Sequence, residues 1–154
     1  MAKWTNWVGN QSCLPAEHAA PASEDEVAVL VADAARRGLP VRVAGAGHSF
    51  TPVVTTDGLL LDVRSLPGIR SIDPERRRVV VGPATTIGEF GEPLWAAGLS
   101  LVNQGDIVAQ QIAGAVSTAT HGSGLRLGCF SAGVRRLRLV TGNGEVVEVG
   151  EGEP

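Results

Sequence analysis

Cysteine is scarce in this chain. Cys13 and Cys129 are the only two among 154 residues, with neither a Cys-x-x-Cys pair nor a histidine at ligand spacing, which excludes a disulfide framework and leaves no candidate metal ligands. Both are expected as free thiols. Also missing is any apolar stretch long enough to span a bilayer, and Met1-Ala2-Lys3-Trp4-Thr5-Asn6-Trp7 lacks the hydrophobic core of a secretory signal, so the expected compartment is the cytosol, with membrane association left open. Basic charge is thin: 13 Lys and Arg against 16 Asp and Glu give a net charge of −3. Outside Arg76-Arg77-Arg78 and Arg135-Arg136-Leu137-Arg138 the cations are scattered, which gives no electrostatic footprint for nucleic acid. The first of these runs reads as a solvated turn before a strand. No Gly-Lys-Ser/Thr tripeptide occurs, so the chain has no P-loop, and no internal repeat or low-complexity tract appears.

What remains is punctuated by proline and glycine about every ten residues, the rhythm of short strands alternating with helices. Ser23-Glu24-Asp25-Glu26 reads as a capping box opening an amphipathic helix through Arg37, with Val27, Leu30, Val31 and Ala34 facing the core and Gly38 ending it. Val41-Arg42-Val43-Ala44 and Leu59-Leu60-Leu61-Asp62 read as short strands. Residues 69–73 and 78–82 read as a hairpin around Pro74-Glu75. Thr86-x-x-Glu89 opens a second helix through Ala97, residues 99–102 resume an extended course, and Asp106 is a candidate N-cap for a helix over 108–113. Residues 134–140 and 145–149 flank Gly142-Asn143-Gly144, the strongest hairpin signal present. The fold class is α+β. The tryptophans Trp4, Trp7 and Trp95 are expected as core or surface anchors, and His18 as an exposed loop residue.

Two glycine-rich stretches each contain a histidine: Gly45-Ala46-Gly47-His48-Ser49 and Thr120-His121-Gly122-Ser123-Gly124. A strand that opens into glycine lets backbone N–H groups approach an anion without interference from Cβ. A Rossmann fingerprint would need glycine where Phe50 stands and a helix directly after it, whereas Thr51-Pro52 and Asp57-Gly58 are loop and turn signals. A nicotinamide-binding domain is therefore disfavoured.

The segments Val43-Ala44-Gly45-Ala46-Gly47-His48-Ser49-Phe50-Thr51-Pro52, Thr56-Asp57-Gly58, Asn103-Gln104-Gly105-Asp106-Ile107 and Gln111-Ile112-Ala113-Gly114-Ala115-Val116-Ser117-Thr118-Ala119-Thr120-His121-Gly122-Ser123-Gly124, in that order, resemble the aldonolactone and alditol oxidases of the vanillyl-alcohol oxidase superfamily. Its members include L-gulonolactone oxidase, D-arabinono-1,4-lactone oxidase and alditol oxidase. The resemblance implies an FAD-binding domain of the PCMH type over residues 1–154, built of two small α+β subdomains clasping the flavin and incomplete at its C-terminus, with the substrate or cap domain absent. It further implies oxidation of a CH–OH group of a small sugar lactone or polyol, with hydride passing to flavin N5 and reoxidation by dioxygen or another acceptor. His48 matches the histidine bonded covalently to the C8 methyl carbon of the flavin ring, a reaction open to a neutral imidazole near pH 7. Val43, Ala44, Gly45, Ala46, Gly47 and Ser49 match the rest of the first cofactor-binding segment, and Asp106, Ala113, Gly114, Ser117, Thr120, His121, Gly122 and Ser123 the second. The general base is expected outside this chain, so the resemblance names no catalytic acid or base here and implies that the piece alone is inactive. Gln104 stands where relatives often carry an apolar residue. A cysteinyl flavin link occurs elsewhere in the superfamily but is not required in this group, so Cys129 is expected as a small buried residue.

Overall fold

The structure is a computed structural model that describes residues 2–150. In chain order its strands are β1 (Trp4–Thr5), β2 (Ser12–Cys13), β3 (Glu17–Ala19), β4 (Val41–Ala44), β5 (Leu59–Asp62), β6 (Ile69–Asp73), β7 (Arg78–Val81), β8 (Arg136–Val140) and β9 (Val146–Gly150). The helices are α1 (Glu24–Arg36), α2 (Gly91–Ala96) and α3 (Ile112–Ser117), with 3-10 turns at Ile87–Phe90 and Phe130–Gly133. This is a mixed α+β chain that divides into two compact units, one built from residues up to 65 and from 134 onward, the other from residues 66–133.

The first unit is organised by a parallel sheet of order β3-β5-β4, in which Leu59 pairs with both Glu17 and Val41. The unbroken apolar run of β5 follows from its central place: every one of its residues is buried, as a parallel strand covered on both faces requires. Helix α1 makes the crossover from β3 to β4 and lays Val31 and Ala34 on Leu59 and Leu61, joined at the edge by Val27, Leu30 and Val140. Its start follows the capping expectation with one change. Ser23 Oγ accepts from the Glu26 amide at 3.2 Å, but the Glu26 carboxylate reaches one residue further back, to the Ala22 amide at 2.8 Å. The β8–β9 hairpin is fastened to the same helix, with Arg138 Nη2 bonded to Glu24 Oε1 at 2.6 Å and Gly144 set so closely on Ala28 and Ala32 that a Cβ would collide with them.

The sequence reading missed the antiparallel β1–β2 hairpin, with Trp4 opposite Cys13, and β3, where His18 sits exposed on a strand and not in a loop. Strands of two or three residues are too short to show a period of two.

The second unit packs Ile87, Phe90, Leu94 and Ala115 against Ile72, Val79 and Val81 of the β6–β7 hairpin and against Leu99, Leu101, Ile112 and Phe130. Two expectations are corrected here. The helix expected from Thr86 to Ala97 enters as a 3-10 turn and restarts at Gly91, because Pro93 has no N–H to return to that turn. Its capping contact is present, the Glu89 carboxylate accepting from both the amide (2.6 Å) and the hydroxyl (2.7 Å) of Thr86, which holds the Glu89 carboxyl below its ordinary range. Residues 99–102 join no strand ladder. Asp106 caps nothing, because the carbonyls of Val108 and Gln110 accept from Gly88 and Ile87, both at 2.9 Å, so that stretch cannot coil, and α3 begins later, with Gln111 at its N-cap.

Candidate functional site

The loop after β4 is held by its carbonyl side. Gly47 O accepts from the Trp7 amide at 2.9 Å, Ser49 O from Asn6 Nδ2 at 2.9 Å, and Phe50 O from Asn10 Nδ2 at 3.2 Å and Gln11 Nε2 at 3.0 Å. Every one of these donors comes from the β1–β2 hairpin or the turn between its strands. Among the described residues, the amides of Ala46, Gly47, His48 and Ser49 donate to nothing. Gly47 lies at φ +72°, the left-handed region that glycine enters without strain. The outcome is a run of successive free N–H groups on a braced backbone, which is the chemistry of an anion nest. Ala44 is buried in the sheet, Gly45 to Ser49 are half-buried, and Val43 is half exposed. The His48 imidazole is stacked on the Trp7 indole, centroids 5.0 Å apart at an interplanar angle of 29°. Asn6, Asn10 and Gln11 were not singled out from sequence. Their only signal there is three carboxamide side chains within six residues.

The second segment belongs to the other unit. Ala113, Gly114 and Ser117 lie on α3, where Ser117 Oγ donates to Ala113 O at 2.7 Å and Thr118 Oγ1 to Gly114 O at 2.8 Å, so both hydroxyls are spent on the helix. Ala119 at φ +52° ends the helix. Thr120 donates its amide to Ala115 O (3.1 Å) and accepts from the Phe130 amide (2.9 Å), which fixes the entry to the glycine-rich turn. Beyond it, the amides of His121, Gly122 and Ser123 have no acceptor among the described residues. His121 Nδ1 lies 2.8 Å from Gly122 O; a carbonyl only accepts, so that nitrogen carries the proton. Gly122 is pressed on Asn103 Oδ1 and Gln104 O with no room for a Cβ, and Asn103 Nδ2 reaches Gly128 O at 2.9 Å. The strands of this loop cluster are thus stitched by Asn103, a residue the sequence reading quoted without a role. Asp106 is exposed and makes no hydrogen bond among the described residues.

Cys129 departs from expectation. It is a free thiol, as expected, but it is only half-buried, its Sγ 2.9 Å from Ser131 Oγ. The Ser131 hydroxyl, then the Ala132 amide, hold it below the ordinary thiol range. Among the described residues no cluster of His, Cys, Asp or Glu has metal-binding geometry, and no helix is long and apolar enough to cross a membrane.

Comparison with known proteins matches residues 15–150 to a family described as an FAD binding domain. The chain is 43% identical over 150 residues to L-gulono-1,4-lactone dehydrogenase of Mycobacterium tuberculosis, covering 97% of this chain and 35% of that protein. It is 36% identical over 151 residues to alditol oxidase of a Streptomyces species, covering 97% and 36%. With D-arabinono-1,4-lactone oxidase of Eremothecium gossypii it shares 34% over 146 residues, covering 92% and 27%. The fold matches 6-hydroxy-D-nicotine oxidase of Arthrobacter nicotinovorans with a TM-score of 0.71 at 23% identity, over 89% of this chain and 31% of that one. The chain therefore spans roughly a third of the length of the relatives it matches.

Proposed function

The chain belongs to the FAD-binding domain family, and from that premise we propose that it forms the flavin-binding part of an oxidoreductase that oxidises a CH–OH group of an aldonolactone or alditol. The substrate class comes from the names of the relatives, which are lactone and alditol oxidases and a lactone dehydrogenase. Bound FAD supplies a two-electron, hydride-accepting centre. The electrons leave to dioxygen or to another acceptor.

The observation that carries this reading is the one-sided hydrogen bonding of the loop around His48. Its carbonyls are engaged by Trp7, Asn6, Asn10 and Gln11 while the amides of Ala46 to Ser49 remain free. A diphosphate is bound by such amides without a cationic side chain, and a flat ring passes only where side chains are small. In the second unit the amides of His121, Gly122 and Ser123 offer the same donor chemistry on the turn that follows α3, the helix that carries Ala113 and Gly114. The residues present fit the cofactor. We assign Gly45 to Ser49 and Thr120 to Ser123 to its binding and His48 to its covalent attachment. His48 would hold the flavin through an imidazole nitrogen bonded to the C8 methyl carbon, giving up its N–H proton, and FAD with dioxygen would supply the two-electron oxidation that this bond requires. Removal of the substrate hydroxyl proton is assigned to no residue of this chain.

Acid precipitation tests the assignment. Protein expressed with FAD should retain yellow colour and in-gel fluorescence in the pellet, and His48→Ala should release its flavin to the supernatant. Wild-type protein that releases all of its flavin would refute the covalent assignment, and protein that binds no FAD would refute the site.

A further inference from the structure

We propose that Trp7 is a positioning residue for bond formation at His48, an inference that rests on the flavin-attachment reading above. A neutral imidazole is ordinarily oriented by a hydrogen bond to one ring nitrogen, which leaves the other to react. Neither ring nitrogen of His48 makes such a bond among the described residues. What orients the ring is the indole of Trp7, stacked at 5.0 Å and 29°. Stacking covers one face of the imidazole and leaves the in-plane nitrogen lone pair uncovered, which is the pair that must point at an incoming electrophilic carbon.

The backbone reinforces the stack. Trp7 donates its own amide to Gly47 O at 2.9 Å, directly before His48, and its neighbour Asn6 donates to Ser49 O at 2.9 Å, directly after it. Residues 6 and 7 therefore set the main chain on both sides of His48 and the direction of its ring. Packing does not account for the indole, which is 66% exposed. A large aromatic left in water and placed against one histidine is spent on that histidine.

The high exposure also makes the test clean, because Trp7→Leu removes the stack while keeping the backbone amide that holds Gly47. Purified apoprotein is incubated with FAD and the covalent fraction followed by acid precipitation. The expected result is a rate of attachment lowered by roughly tenfold or more in Trp7→Leu, with Trp7→Phe, which retains a stacking ring, restored to within about threefold of wild type. Non-covalent FAD affinity, compared between His48→Ala and the His48→Ala/Trp7→Leu double variant by flavin fluorescence, should agree within about twofold, as should the urea midpoints in rank. An unchanged attachment rate in Trp7→Leu overturns the inference. So does a parallel loss of FAD affinity and attachment that Trp7→Phe fails to rescue, which marks a merely structural residue. If wild-type protein binds FAD but never attaches it, the fault lies in the reading of His48 itself, and the inference falls with it.

Discussion

Asn6 donates its side-chain amide to the carbonyl of Ser49 at 2.9 Å, across 43 residues of sequence. The rest of the carboxamide is used as well, Nδ2 also reaching Asn10 Oδ1 at 2.7 Å and Oδ1 accepting from the Gln11 amide at 3.0 Å. Only 4% of Asn6 is exposed. One buried side chain thereby closes the turn of the first hairpin and fastens that turn to the loop carrying His48.

Replacing Asn6 by Ala strands the Gln11 amide and the Ser49 carbonyl. The expected loss is about 1–3 kcal/mol, the range for leaving buried polar groups unpaired. Urea denaturation reads it as a lower midpoint at unchanged slope. A midpoint equal to wild type would show that water replaces Asn6 without cost.

Gly47 and Gly91 make a contrast that separates conformation from space. At Gly47 a Cβ would find ordinary contacts, the nearest being the Trp7 nitrogen at 3.4 Å, but φ is +72°; at Gly91 nothing lies within 4 Å and φ is −52°. Gly47→Ala should therefore destabilise by about 1–2 kcal/mol through left-handed strain. Gly91→Ala should be neutral or stabilising by up to about 1 kcal/mol, from the lower entropy of the unfolded chain. Thermal unfolding of the two variants should move in opposite directions.

At Gly122 the obstacle is space. A methyl group there meets Asn103 Oδ1 and Gln104 O, neither the free end of a flexible chain, since Asn103 is tied to Gly128. Gly122→Ala should cost about 1–3 kcal/mol in stability as the loop is forced apart. Because the amides of 121–123 move with it, FAD affinity should fall by roughly tenfold or more, the equivalent of about 1.4 kcal/mol. Flavin fluorescence titration measures it, and retained affinity would remove these amides from the site.

Asp62 ends the central strand and is clasped by Arg64, whose Nε lies 2.9 Å from Oδ1 and 2.8 Å from Oδ2, with the Arg64 amide 3.0 Å from Oδ1. The Arg64 side-chain bonds outweigh burial and hold the carboxyl below its ordinary value of 3.8. A group depressed in the folded state binds fewer protons there than in the unfolded chain. Its contribution is thus complete above about pH 5 and lost as pH falls through the folded pKa. Asp62→Asn should be less stable than wild type at neutral pH, with the gap closing in acid. The effect is modest because the Arg64 side chain is 70% exposed. A gap that stays constant from neutral to acid pH would exclude this carboxylate as its source.

Much of the local structure was legible in the residues because its causes span only a few positions. Ser23 and Glu26 announce the start of α1, the apolar run of Leu59 to Leu61 announces a buried strand, and Gly142-Asn143-Gly144 announces the turn between β8 and β9. The two glycine-histidine stretches could be read as anion-binding backbone for the same reason, since a nest is made by consecutive amides. Pro93 misled the reading of one helix because a single missing N–H decided between an unbroken coil and a 3-10 entry.

By itself, then, the sequence determined the capped start of α1, the buried strand β5, the turn between β8 and β9 and the two glycine-histidine loops whose consecutive amides suit an anion, because each of those properties is set within about one helical turn. Only the tertiary structure decided that β5 lies between β3 and β4, that Asn6, Asn10 and Gln11 take up the carbonyls of the first loop, and that an exposed indole rests on His48. The partners in those contacts lie far apart in sequence, Val41 from Leu59 and Asn6 from Ser49, and no local pattern encodes them: the pairing emerges when burial of β5 brings distant strands side by side and leaves the loop carbonyls facing the amides and carboxamides of the first hairpin.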